Sequence, residues 1–102
     1  MTVGLLTIII HLHGIDSLKG KRKIIKSAVE RLKSRFNASV SEVDAQDSKE
    51  VAVIGAAVVS NEGSFVDKQL DTIVNFIQND GRFYVGKIER EIFASNHDQT
   101  YF

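Results

Sequence analysis

The chain contains no cysteine, which excludes a disulfide framework, a thiolate zinc site and a cysteine nucleophile. It also contains no proline, and neither that absence nor the lack of tryptophan points to a function. The apolar run at residues 5–10 is too short to cross a membrane, and no basic segment or small-residue cleavage site surrounds it. We therefore expect a cytoplasmic protein that begins at its own initiator methionine.

Charge is balanced over the 102 residues but unevenly distributed along them. Residues 19–35 hold eight basic side chains and a single acid, Glu30, which gives a local charge of +7. Because the formal net charge is zero, the rest of the chain carries −7. This polarity indicates one basic surface that an anionic partner would recognise.

Four segments have the composition of strands. Residues 3–13 and 51–60 are rich in apolar and β-branched residues on both alternating faces, which predicts two central strands. Residues 38–44 form a shorter strand, in which Val40 and Val43 differ in parity and so indicate a bulge or an edge position. The last predicted strand covers residues 83–93.

Two segments have helical periodicity. The first helix is predicted over residues 18–36, with Asp16 or Ser17 as its N-cap. Its buried stripe comprises Ile25, Ala28, Val29, Leu32 and Phe36. The second helix is predicted to begin with a capping-box-like pair, Ser64 and Asp67, and to end at residues 79–81. Its inner face comprises Val66, Leu70, Ile73, Val74 and Ile77.

The order β-α-β-β-α-β with right-handed crossovers predicts an α+β, ferredoxin-like sandwich. We expect a single domain over residues 1–93, with a four-stranded antiparallel sheet of order 4-1-3-2, two helices on one face and a C-terminal tail at 94–102. The uncovered face would carry Val3, Leu5, Ile9 and one side of residues 51–59, which predicts a homo-oligomer, most simply a dimer. A purely structural subunit that assembles through this face is therefore one alternative function. Alternatively, polar residues keep that face solvated; these are Thr7, His11, Lys87 and Glu89.

Two motifs and their order resemble the YlxP-like family of small bacterial proteins of unknown function. They are S-L-K-G-K-R at residues 17–22 and R-F-N-A-S-V-S-E-V-D-A-Q-D at 35–47. The chain departs from the family at His13-Gly14, where proline commonly precedes the glycine, and at Ala45, which is often histidine. The second departure weakens a metal or acid–base role for that loop. The resemblance implies a ferredoxin-like fold and no established activity. Genes of the family tend to lie beside translation-initiation and ribosome-maturation genes, so it implies the ribosome or RNA as a partner.

Topology predicts that both motifs meet at one end of the sheet. The end of the first strand, the turn between the second and third strands and the start of the fourth should lie together. The segments expected to converge there are His11, His13, 17–23, 42–47 and 79–82. Loops at one end of a rigid scaffold commonly carry function.

The first candidate site binds anions or RNA through the basic helix. Its N-terminus presents free N–H groups and the positive end of the helix dipole. The predicted contact residues are Lys19, Lys21, Arg22, Lys23, Lys26 and Lys33. No RNP-type aromatic residues and no G-X-X-G loop accompany them, so we expect backbone contacts without base-specific readout. The alternative is a solvated helix face that pairs with acids elsewhere in the protein.

The second candidate is a polar cluster at the same end of the sheet, comprising His11, Ser17, Glu42, Asp44 and Asp47. On regular strands Glu42 and Asp44 share a face, as do His11 and His13. A small metal-assisted enzyme or metal-binding protein would use His11, Glu42, Asp44 and Asp47. The alternative is a structural ion-pair network with Lys19, Lys21 or Arg22. Because no catalytic motif is present, we expect a non-enzymatic protein with no cofactor and no bound metal. We expect Ser17 to act as the N-cap of the first helix rather than as a nucleophile.

Overall fold

The computed structural model describes residues 1–96, so most of the predicted tail lies outside the described residues. Its element order is β-α-β-β-α-β, as the sequence predicts. The elements are β1 (Thr2–His11), α1 (Leu18–Arg35), β2 (Ser39–Asp44), β3 (Val51–Ser60), α2 (Gly63–Gln78) and β4 (Tyr84–Ala94). Neither helix of this part of the chain is long and apolar enough to span a membrane.

The four strands form one sheet of order β2-β3-β1-β4, and every pairing is antiparallel. This order is the predicted one read from the other edge, so the α+β, ferredoxin-like fold is confirmed. The two longest pairings place His11 opposite Val51 and Tyr84. The end of β1, the β2–β3 turn and the start of β4 therefore lie at one end of the sheet, as predicted.

Alternation along the two central strands separates a covered face from an open face. In β1, Leu6, Ile8 and Ile10 are buried beneath the helices, whereas their neighbours in sequence are only partly buried. In β3, Ala52, Ile54, Ala56 and Val58 are buried in the same way. Leu12, Phe36 and Val40 also belong to the core, and the helices contribute the rest, through Ile25, Ala28, Leu32, Val66, Leu70, Ile73 and Ile77. The two-faced apolar strands thus pack one face in the core and leave the other uncovered.

Edge strand β2 contains the bulge that its sequence indicates. Its register with β3 shifts between Glu42 and Asp44, and a Cβ added at Gly55 would lie 2.9 Å from Val43 Cγ1. The glycine therefore leaves the space that the Val43 side chain occupies beside β3.

The two helices begin differently. Ser17 caps α1, and its Oγ accepts a hydrogen bond of 3.1 Å from Gly20 N, as predicted. The predicted capping box of α2 is wrong, because α2 begins at Gly63 and its N-cap, Glu62, makes no side-chain capping bond. The helix begins before Ser64, so that residue already lies inside its first turn and cannot cap it.

Candidate functional site

A buried lysine joins the two sequence motifs. Lys21 is 0% exposed, and its Nζ donates a hydrogen bond of 2.6 Å to the carbonyl oxygen of Ala45. The same Nζ lies 3.0 Å from Oε2 of Glu42, whose side chain is 19% exposed. Oε2 has no hydrogen-bond partner within residues 1–96, so the attraction to Lys21 is ionic rather than a directed hydrogen bond. The predicted ion pair between helix and loop is thereby confirmed for one pair.

Lys21 must therefore be removed from the predicted anion-binding residues. A side chain that is fully enclosed by α1, β2 and the following loop cannot contact a ligand from solution. Its position explains the burial, since it lies one helical turn before Ile25 on the stripe that continues through Ala28 and Leu32. This spacing is the sequence signal by which Lys21 could have been placed in the core.

The loop after β2 takes its shape from local hydrogen bonds as well as from Lys21. Ala45 has φ of 60°, in the left-handed region, and its N–H donates to Asp44 Oδ1 at 2.7 Å. The following Ser48 N donates to the Ala45 carbonyl at 3.0 Å. The Ala45 carbonyl accepts both this bond and the one from Lys21, so the helix and the loop share one acceptor.

The prediction that Glu42 and Asp44 lie on the same face of the sheet is wrong. The bulge pairs Glu42 with Ile54 and Asp44 with Val53, and these two neighbours face opposite sides of the sheet. Within residues 1–96, no three His, Cys, Asp or Glu side chains are grouped so that they could hold a metal ion. Asp47 is exposed on the loop, and Ser17 is occupied as the cap of α1.

The two histidines at the end of β1 line a polar cavity of about 350 Å³ together with Asp16 and Glu50. His11 is half-buried, and the centroids of its ring and the Tyr84 ring lie 6.3 Å apart. His13 is exposed. His11 and His13 therefore lie at the predicted end of the sheet. The carboxylates that line the cavity with them belong to Asp16 and Glu50 rather than to residues of β2.

The segment at residues 79–82 contacts the middle of α1 rather than its N-terminus. Arg82 donates to both carboxylate oxygens of Asp80, at 2.6 and 2.7 Å, and to Ser27 Oγ at 2.9 Å. Arg31 NH1 also donates to Asp80, at 3.1 Å. The side-chain hydrogen bond from Arg82 lowers the pKa of Asp80 below its usual value. These contacts with Ser27 and Arg31 join the loop to the body of the helix.

Five basic residues form the outer face of α1, which we call the basic stripe: Lys19, Arg22, Lys23, Lys26 and Lys33. All five are exposed. No carboxylate within residues 1–96 lies within 4.0 Å of their charged groups. The stripe is about 21 Å long at the rise of 1.5 Å per residue. Its charge is therefore not neutralised by ion pairs in the described part of the protein.

A shallow groove of about 320 Å³ follows one flank of the basic stripe. It lies between α1 and the edge strand β2, and its lining includes Arg22, Lys26 and Lys33 from the helix. Val40, Ser41 and Glu42, which is paired with Lys21, supply the wall from β2. The stripe therefore borders a concave surface between α1 and the edge of the sheet.

Comparison with known proteins agrees with the motifs. The family described as "Protein of unknown function (DUF503)" matches residues 3–90. The chain is also similar to the uncharacterized protein YlxP of Bacillus subtilis (strain 168), at 32% identity over 68 residues. That alignment covers 67% of this chain and 74% of the Bacillus protein. The predicted YlxP-like relationship is therefore confirmed, and neither description states an activity.

Proposed function

The chain belongs to the DUF503 family of proteins of unknown function, and we propose that it is a non-enzymatic protein that binds the phosphate backbone of structured RNA. The binding surface is the basic stripe on α1 together with the groove between α1 and β2. Because the family resemblance includes gene neighbours in translation and ribosome maturation, ribosomal RNA is the first RNA to test.

One observation carries the proposal, namely that the five charged groups of the stripe lack carboxylate partners among residues 1–96. The alternative of a helix face paired with acids elsewhere in the protein requires such partners. Five acidic residues of this part of the chain pair with cations outside the stripe, as Glu42 does with Lys21 and Asp71 with Arg90. Exposed Glu30 interrupts the stripe without pairing with it, so the stripe keeps a net positive potential for an external polyanion.

The chemistry of the stripe favours phosphates over bases. Lysine and arginine side chains on one helix face neutralise backbone phosphates, release counterions and carry no sequence information. A length of about 21 Å, obtained from the helical rise, is enough to follow several phosphates. The stripe consists of lysine and arginine alone, so it offers no aromatic ring on which an unpaired base could stack.

The test compares two charge-matched variants in RNA binding against salt. The first replaces Arg22, Lys23 and Lys26 by Glu, and the second replaces three exposed lysines outside α1 by Glu, at Lys49, Lys68 and Lys87. Both change the net charge by the same amount. We expect the parent protein to lose affinity for an rRNA fragment as salt rises, with a slope of about 0.7 to 0.9 per phosphate contact on logarithmic axes.

The stripe variant should lose most of that salt dependence, whereas the control variant should retain it. Equal losses in both variants would show an effect of net charge without a defined surface. A parent protein whose affinity does not vary with salt would overturn the proposal.

The metal-assisted alternative gains no support from the described residues. It requires His11, Glu42 and Asp44 to act together, but Glu42 is paired with Lys21 and the β2 bulge separates it from Asp44.

We also propose that the protein is a homodimer that packs through the open face of the sheet. Exposed large apolar side chains are concentrated there: Val43, Val59, Tyr84 and Phe93 are 48–65% exposed. Val59 and Phe93 flank Val3 at one end of the face, and Tyr84 lies beside His11 at the other. Large apolar groups on an uncovered sheet face are typical of association surfaces.

The dimensions of this face suit a second copy of the chain. Four strands spaced about 4.8 Å apart, with about 3.3 Å per residue, give a face of roughly 600 Å² per subunit. Two such faces bury about 1,200 Å², which is the lower limit of standard specific interfaces. The helices would then lie on the two outer surfaces, with each basic stripe accessible.

A further inference from the structure

We propose that Arg31 and Arg35, stacked on Phe76 where α1 meets α2, form a second anion site that holds one phosphate group. The site lies on the flank of α1 opposite the groove at β2, so it is separate from the basic stripe. It deepens the proposed function and rests on it only for the source of the phosphate, which we take to be an RNA phosphodiester.

The first argument is the fixed position of both guanidinium groups. Arg31 Cζ lies 5.4 Å from the centroid of the Phe76 ring, and Arg35 Cζ lies 5.0 Å from it. Phe76 is itself held by an edge-to-face contact with the core residue Phe36, with ring centroids 5.7 Å apart. Stacking on an aromatic ring orders a guanidinium without using its N–H donors. Both groups are therefore preorganised for bidentate contact with an oxyanion.

The second argument is an excess of positive charge at this junction. Of the three arginines Arg31, Arg35 and Arg82, only Arg31 and Arg82 contact a carboxylate, and they share the same one, that of Asp80. Arg82 already contacts both oxygens of Asp80, which leaves Arg31 one bond of 3.1 Å. Arg35 donates no hydrogen bond to any residue within 1–96 and has no carboxylate within 4.0 Å there. Two cations held on one ring repel each other, and a bound anion would relieve that repulsion.

The third argument is the shape and lining of the surface. Arg31, Arg35, Ser34 and Phe76 line a cavity of about 390 Å³, and an adjoining one of about 320 Å³ extends over α2 past Asn75. Hydroxyl and amide groups therefore stand beside the guanidiniums. This combination of planar arginine donors and neutral polar groups matches a phosphate monoanion. The last turn of α1 also favours a basic residue at position 35, but that preference does not explain why two arginines share one ring.

The site extends the proposed RNA surface around the helix. The distance along α1 from Lys19 to Arg35 is about 24 Å at the usual rise per residue. Exposed Ser34 lies on the outer ridge between the stripe and the arginine pair, one helical turn after Glu30, which is the single acidic residue of α1. A nucleic-acid backbone that follows the stripe can therefore cross the C-terminal half of α1 and reach Arg35.

The experiment is an NMR titration of the full protein, which observes the arginine Nε–Hε groups directly. Inorganic phosphate is the first probe, and an rRNA hairpin is the second. We expect saturable shifts of the Arg31 and Arg35 signals with both probes, and no shift of the Arg90 signal, because Arg90 is paired with Asp67 and Asp71. Unchanged Arg31 and Arg35 signals with both probes would overturn the site.

Two outcomes separate this site from the proposed function. Shifts with phosphate but none with the hairpin would support the anion site and reject its use for RNA. The hairpin could also shift the Arg31 and Arg35 signals while the variant with Glu at Arg22, Lys23 and Lys26 keeps the full salt dependence of RNA binding. That result would support the arginine site and reject the basic stripe.

Variants provide the second readout. Replacing Arg31 and Arg35 by Gln should lower the salt slope of hairpin binding by about 0.7 to 0.9, the value expected when one phosphate is no longer neutralised. The double variant Arg31→Lys with Arg35→Lys keeps both charges but loses the planar guanidinium groups, so it should restore only part of the affinity for the hairpin. The double variant Lys49→Gln with Lys68→Gln is the matched control, because it also removes two exposed positive charges, and it should leave the slope unchanged. Full affinity in the Gln variant would contradict the proposal.

Discussion

At the scale of single residues, Lys21 shows that spacing outweighs charge in deciding burial. A lysine next to Arg22 and Lys23 is expected on the basic surface, yet it occupies the apolar stripe of α1 and is fully enclosed. Its charge is tolerated because Glu42 and the Ala45 carbonyl lie within 3.0 Å of Nζ. The residue therefore fastens the loop after β2 to the first turns of α1, and it has no access to a ligand.

We predict unequal effects of removing the two partners of this ion pair. Glu42→Gln leaves a fully buried ammonium without its counter-charge and should lower the free energy of unfolding by about 3 kcal/mol. Lys21→Met should cost less, because the Glu42 side chain is 19% exposed and can turn its carboxylate toward water, although Oε2 is itself buried beside Lys21. Urea denaturation of both variants measures the difference.

The double variant Lys21→Met with Glu42→Met is the control for this prediction. It removes both charges, so its stability should approach that of the parent protein to within about 1 kcal/mol. Lys21→Met should also keep the salt dependence of RNA binding. A larger loss for Lys21→Met than for Glu42→Gln would show that the lysine contributes mainly through the Ala45 carbonyl.

At the scale of elements, the position of α2 depends on a glycine in β1. A Cβ added at Gly4 would lie 2.5 Å from Val66 Cγ1 and 2.9 Å from Leu70 Cδ1. Both contact residues are fully buried, so neither side chain has free space into which to move. The first two turns of α2 therefore pack directly on the backbone of the central strand.

We predict opposite effects of alanine at two glycines. Gly4→Ala forces α2 away from β1 and should destabilise the protein by about 1 to 3 kcal/mol, the usual cost of overpacking a core. Gly20→Ala should stabilise it by about 0.5 to 1 kcal/mol, because Gly20 lies inside α1 and a Cβ there makes only ordinary contacts. Thermal or urea unfolding measures both effects.

These two substitutions control for each other, since each adds one methyl group at a glycine. Equal changes at both positions would indicate an effect on the unfolded chain rather than on packing. A neutral Gly4→Ala variant would show that α2 shifts on the sheet without cost.

At the scale of the whole molecule, the helices cover one face of the sheet and leave the other open. That open face combines half-buried Leu5 and Ile9 with the more exposed Val59 and Phe93. Polar Thr7 and charged Glu89 lie opposite each other on the same face. The face is therefore apolar at its centre and at one end, and polar along part of β4.

We predict a dimer of the 11.3 kDa chain at about micromolar concentrations, measured by light scattering over a dilution series. Val59→Glu places a charge in the proposed interface and should shift the protein to monomer, because burying an unpaired carboxylate is costly. Phe65→Glu is the matched control, since Phe65 is an exposed apolar residue on α2 outside that face. A parent protein that stays monomeric, or equal effects of both variants, would reject the interface.

The sequence alone determined the elements and their order. Strand alternation, helical periodicity and the Ser17 cap act over a few neighbouring residues, so the bounds of β3 and the start of α1 agree with their predictions. The sheet order followed, because right-handed crossovers leave few topologies for this arrangement. The exposure of the five stripe residues was also predictable, since they lie opposite the apolar stripe of α1.

Only the tertiary structure decided which charged side chains meet. Lys21 and Ala45 are 24 residues apart, and Arg31 and Asp80 are 49 apart. Such contacts depend on the β2 bulge, which separates Glu42 from Asp44, and on how α2 lies against α1. Local patterns specify the face of an element but not its offset along a neighbour. For that physical reason the buried ion pair and the arginine pair on Phe76 appear only once the chain is folded.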